Sequence, residues 1–272
     1  GPYAAIAVPT SGLAPMTIRS NFVHNSTDRD DGRYALMCYE PEALVAENVL
    51  IGGTYVVETA SRRFLDNVLV GVAGLRGKLS ATTTTHYLIA NLPAGALVRG
   101  NLLLGPAYAM LATSVGARNV RIEHNTFDGW DRALGGICLN VLAGEPVAAH
   151  VQANVFCRLK GPALHDRSGR SDVLASWSDN LLAAVGQTAR GIELPTEQPV
   201  MPDLDGLRFS HPLSQWPAEW ERGLLDARLT VAALRAKLVS AYRPLPDSPL
   251  ATQRQGQAEP RGYVGAVAPA RP

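Results

Sequence analysis

Apolar and polar residues alternate along this chain in short bursts of period two. Between Ala117 and Leu142, Val120 and Ile122 alternate with Arg121 and Glu123, Asn125 interrupts the run, and Phe127 resumes it. Asp128-Gly129-Trp130-Asp131 reads as a loop, and Gly136-Ile137-Cys138-Leu139 opens a further strand. Such alternation predicts half-buried strands. The unit recurs. Asparagine follows an apolar alternating stretch at Asn21, Asn48, Asn67, Asn101, Asn125, Asn154 and Asn180, at spacings of 27, 19, 34, 24, 29 and 26 residues. A helical-repeat array would hold its period more tightly, so the irregular spacing points to strand coils joined by loops of variable length.

Asparagine suits a sharp bend between strands because it tolerates the left-handed backbone region and can hydrogen-bond backbone with its side chain. In coils stacked in register, these side chains would bond one another as a ladder. The residues before each asparagine then form a second strand and those after it a third. First strands of the coils are predicted at Tyr34–Tyr39, Thr54–Thr59, Thr85–Ala90, Ala109–Thr113, Gly136–Leu142, Ala163–Asp166 and Gly191–Leu194. Beyond Leu194 the pattern stops. Pro195, Pro199, Pro202 and Pro212 mark an irregular segment, Pro217 opens a helix with acids in its first turn, and Thr230 caps a second one with Val231, Leu234 and Leu238 on one face.

The units VRIEHNTF and GGICLNV, with weaker copies from Ile18 to Leu194, resemble the right-handed parallel β-helix superfamily, the pectate-lyase-like fold with its short coil repeats. The resemblance covers about two-thirds of the chain and is specific for fold rather than function. It implies an all-β, single-stranded solenoid over residues 1–194. Residues 195–272 are then a partly helical C-terminal cap over the exposed strand edges of the open end. No equivalent cap precedes Met16. The expectation is that another chain, or a segment outside this sequence, covers the first coil.

Composition narrows the choice of partner. The 272 residues are 46% hydrophobic and 18% charged, with a formal net charge of +1. A nucleic-acid partner would favour a basic stripe, which is not seen. No apolar run approaches the roughly 20 residues of a membrane span. Cys38, Cys138 and Cys157 are too few and too widely spaced for a disulfide framework or a zinc knuckle, and read as small strand residues.

Alternation on the first strands points Glu58, His86, Cys138, Asn140, His165 and Glu193 outward. In the resembled superfamily this face carries the carbohydrate groove, walled by loops that here span residues 24–33, 70–84 and 128–135. The resemblance therefore implies a secreted or cell-surface bacterial protein whose partner is a polysaccharide. The favoured activity is a lyase that cleaves an acidic, uronate-containing polymer by β-elimination. Such a reaction needs a base for the α proton and a cation for the carboxylate. His165, Lys78, His86 and Arg167 are the catalytic candidates, and Asn140, Arg132, Glu58 and Glu193 the substrate-binding ones. Asp28, Asp30 and Asp31 supply hard oxygens suited to calcium, the one cofactor the pattern allows. A glycoside hydrolase is less favoured: it needs two carboxylates about 5–10 Å apart, and stacking separates Glu58 from Glu193 by several coils. The alternatives are a non-catalytic glycan-binding or tail-fibre scaffold, or one piece of a larger β-helix enzyme.

Overall fold

The structure is a computed structural model that describes residues 4–9, 15–25, 34–72, 85–114, 117–139, 148–167, 173–195, 199–251 and 265–267. Its strands follow one another in threes. The first turn of chain holds β1 (Ala4–Val8), β2 (Thr17–Arg19) and β3 (Phe22–Asn25). The second holds β4 (Tyr34–Cys38), β5 (Leu44–Ala46) and β6 (Val49–Gly52), and the third β7 (Tyr55–Thr59), β8 (Arg63–Leu65) and β9 (Val68–Val70). Next come β10 (Tyr87–Leu92), β11 (Leu97–Arg99) and β12 (Leu102–Leu104), then β13 (Ala109–Thr113), β14 (Arg118–Glu123) and β15 (Thr126–Ala133). The series closes with β16 (Ile137–Leu139), β17 (Ala148–Gln152), β18 (Val155–Asp166), β19 (Leu174–Ser178), β20 (Leu181–Arg190) and β21 (Val200–Met201).

Every pairing between these strands is parallel, and each strand pairs with its counterpart one turn away. The second strands form a seven-stranded sheet running β2-β5-β8-β11-β14-β17-β19. First and third strands share one fourteen-stranded sheet because β18 serves both: Val155–Cys157 pair with β15, whereas Leu164–Asp166 pair with β16. The result is a mostly β stack of parallel turns, as a solenoid makes. Ala4–Val8, within the span predicted as solenoid, is a strand paired with β4. At the other end Gly191–Leu194, expected as a first strand, is no strand; β20 runs on to Arg190, and Gly191 turns the chain at φ +77° where a Cβ would lie 2.4 Å from the Asp166 carbonyl oxygen. The GIEL pattern imitates the GICL of β16, but the turn ends pairing before it.

The asparagine ladder is present over all seven positions. Each side-chain amide donates to the Oδ1 of the next, from Asn21 through to Asn180, at 2.9–3.0 Å. Each backbone N–H donates to that same oxygen. The left-handed residue is not the asparagine but the one before it: Ser20, Glu47, Asp66, Gly100, His124, Ala153 and Asp179 all have positive φ. The bend is made one residue early, which leaves the asparagine side chain to satisfy backbone groups between turns.

Third strands are apolar on both faces, as fully covered parallel strands are. Leu50, Leu69, Leu103, Phe127, Phe156 and Leu182 stand in register facing the interior. Phe127, Phe156 and Trp177 stack there with ring centroids 4.7 and 5.7 Å apart. Val49, Ile51, Val68, Val70, Leu102, Leu104 and Val155 face the other way and are also buried. What covers them is the C-terminal segment with helices α1 (Ala218–Leu225) and α2 (Val231–Ala241), whose Leu234, Leu238 and Tyr242 are fully buried against that face. The Thr230 hydroxyl caps α2 by accepting from the Ala233 N–H at 3.1 Å. The segment expected to cap an open end thus lies along a flank. Ends expose only one ring of backbone edges, whereas this flank presents apolar residues on turn after turn. No helix among the described residues is long and apolar enough to cross a membrane.

Candidate functional site

First strands present one column of side chains after another on their outer face. Tyr34, Tyr55 and Tyr87 stand in register on β4, β7 and β10, and Ala109 takes the next place on β13. Their rings stack, with centroids 5.4 Å apart between Tyr34 and Tyr55 and 5.7 Å between Tyr55 and Tyr87. Tyr108 meets Tyr87 edge to face, and His86 touches the rings of Tyr55, Tyr87 and Tyr108. Edge-to-face and offset stacking are the preferred geometries for aromatic quadrupoles, so the column is stiff.

At the tyrosine end Glu58 accepts from the Asn91 amide at 3.1 Å. Burial and then the Glu58 carboxylate push the Tyr34 hydroxyl well up, and the same causes raise Tyr39. Toward the other end, Tyr87 packs over the small residues Ala109, Ala112 and Cys138. Burial pushes the Cys138 thiol up, against the pull of the Arg167 guanidinium. Cys138, His165 and Arg190 are in register on β16, β18 and β20. Burial, then Arg190, then Arg167 hold His165 below its ordinary imidazole value, against the pull of Asp166. This end therefore carries a neutral imidazole between two guanidinium groups at neutral pH.

No protein-family model, curated protein or solved structure matches the chain.

The site is accordingly described by its own residues. His165 and Arg167, both expected from the sequence, are brought together, and Arg190 joins them. His86 lies three turns away, about 14 Å at roughly 4.8 Å per turn, and Glu58 one turn beyond that, so neither shares the cationic cluster. Glu193 is exposed in irregular chain after β20. Arg132 is exposed on β15, in a stretch expected as a loop; the strand continues through it with left-handed turns at Trp130 and Asp131. Lys78, Asn140, Asp28, Asp30 and Asp31 lie outside the described residues. Among the described residues no three His, Cys, Asp or Glu side chains cluster as a metal site would.

The tyrosines and Arg190 were not singled out by sequence. A tyrosine near the start of three successive first strands was the available signal for the former. Nothing marks Arg190, because only the pairing register sets it beside His165.

A second polar cluster sits on the covered flank. Asp128, fully buried, accepts from Arg158 Nε at 2.8 Å and Nη2 at 2.5 Å, and from the Tyr242 hydroxyl at 2.7 Å. Trp130 Nε1 donates to that hydroxyl at 3.2 Å, and Arg158 also donates to the Leu213 carbonyl. Burial pushes the Asp128 carboxyl up against the pull of Arg158, and drives the Tyr242 hydroxyl well above its ordinary value. Covered by the C-terminal segment, this cluster fastens chain to chain.

Proposed function

We propose that this protein is a right-handed parallel β-helix acting outside the cell or at its surface on carbohydrate, as a polysaccharide lyase on an acidic, uronate-containing polymer. The observation that carries the reading is the His165 imidazole flanked by Arg167 and Arg190 on the outer face of the first strands. The asparagine ladder and the three strands per turn support the fold. In β-elimination the base removes the proton α to the uronate carboxylate, and that electron pair forms the new carbon–carbon double bond. The glycosidic oxygen then leaves with its bonding pair and takes up a proton. His165, held neutral, has the free lone pair for the first step. Arg167 and Arg190 offset the negative charge that develops on the carboxylate. Asp28, Asp30 and Asp31 are the residues that would hold calcium, and no step above is routed through it.

The test is ultraviolet absorbance of the unsaturated product during incubation with a panel of uronate polymers, with calcium and then with a chelator. A rise that is lost in His165→Ala supports the reading. Polymer binding without any rise overturns the lyase. It would leave the second reading, a glycan-binding scaffold, which the stacked tyrosine column favours.

A further inference from the structure

Resting on that reading, we infer that Tyr108 is a stacking platform for a sugar ring of the same acidic polymer, next along the face from the His165 cluster. Tyr108 is 42% exposed, whereas Tyr87 behind it is half-buried. The other tyrosines of the column cover one another's faces. Tyr108 instead stands edge to face on Tyr87, with interplanar angle 87°, and is tilted against His86. A ring braced from two sides and open on the rest costs little conformational entropy on binding, which is what makes tyrosine an effective contact.

Its place in the fold identifies the occupant. Tyr108 immediately precedes β13, two turns before the end of β18 that carries His165 and four residues before the Ala112–Cys138–His165 column, so the two positions are about 10 Å apart along the axis and about 13 Å across it. Between them lie Ala109, Ala112 and Cys138, overlaid by Tyr87. A ligand that follows this line meets first an apolar ring and then two guanidinium groups. Carbon-bound hydrogens on one face of a pyranose suit the ring, and a carboxylate on a following sugar suits the arginines. An extended acidic glycan offers both at repeating intervals. A small anion would use only the arginines, and an apolar peptide only the ring.

The experiment is calorimetric titration of the whole protein with polygalacturonate and with its neutral methyl ester, at low and high salt. Tyr108→Ala weakens polygalacturonate binding about three- to tenfold, and Tyr108→Phe stays within about twofold. High salt screens the arginines and lowers all affinities, but the ratio between wild type and Tyr108→Ala persists, and the neutral ester shows the same ratio. Tyr108→Leu, which keeps an apolar contact on Tyr87, must show the loss too, with an unchanged melting temperature. If wild type binds and Tyr108→Ala binds equally well, the platform is overturned while the carbohydrate reading stands. If wild type binds neither polymer, both fall.

Discussion

At the scale of single residues, position in the stack decides what a side chain is worth. Asn125 is fully buried and donates to Asn154 Oδ1 and to the carbonyls of Val98 and Glu123, while its own Oδ1 accepts from both nitrogens of Asn101. Asn125→Ala strands several of these groups and should lower stability by about 3 kcal/mol. Asn21→Ala, at the partly exposed first position, should cost about 1 kcal/mol. Urea denaturation compares the two. His165 should titrate below 6.5 in a nuclear magnetic resonance pH series, and Arg190→Gln should bring its midpoint up. Because the folded value is depressed, the stability tied to this group is complete above the unfolded value and is lost as pH falls toward the folded one. On the proposed lyase reading, the elimination rate should decline on the same acid limb. Much of this was legible in the chain. The asparagines announce themselves by their recurring place in the unit, and His165 by its expected outward position on a first strand. The left-handed residues before the asparagines do not, since serine, glutamate, alanine and histidine share no signature.

At the scale of elements, the flank cluster joins β15 and β18 to the chain that follows α2. Tyr242→Phe removes the hydroxyl that bridges Asp128 and Trp130 and should cost about 1–3 kcal/mol. Arg158→Met leaves the Asp128 carboxylate buried without its cation and should cost about 3–5 kcal/mol. The double variant Asp128→Asn with Arg158→Met should lose less than the sum of its parts, as thermal unfolding of the four proteins would show. Raised by burial, the Tyr242 hydroxyl keeps its proton when the unfolded chain loses its own. The stability it gives is full below pH 10.0 and drops as pH climbs beyond it. None of this cluster could be read in advance. Asp128-Gly129-Trp130-Asp131 has loop composition, and its burial depends on a partner more than a hundred residues away.

At the scale of the whole molecule, α1 and α2 were foreseeable from Pro217 and Thr230, yet their docking place was not. An apolar run such as Leu102-Leu103-Leu104 signals burial on both faces without saying what buries the second. Truncation before residue 199 should therefore give an aggregating product rather than a shorter soluble stack, checked by size-exclusion chromatography. The same docking sets the order of events at birth. His24 in the first turn is clasped by Glu221 of α1, Asp66 accepts from Arg235 of α2 at 2.8 Å, and Ala266 donates to Thr126 at 3.1 Å. Turns of chain emerging from the ribosome can hydrogen-bond to one another at once. Their outer flank must stay bare until the segment that carries α1 and α2 has been made. Such long-range closure slows folding and exposes sticky surface meanwhile. A nascent chain stalled at residue 200 should therefore recruit a holding chaperone that a chain extended past residue 267 no longer binds.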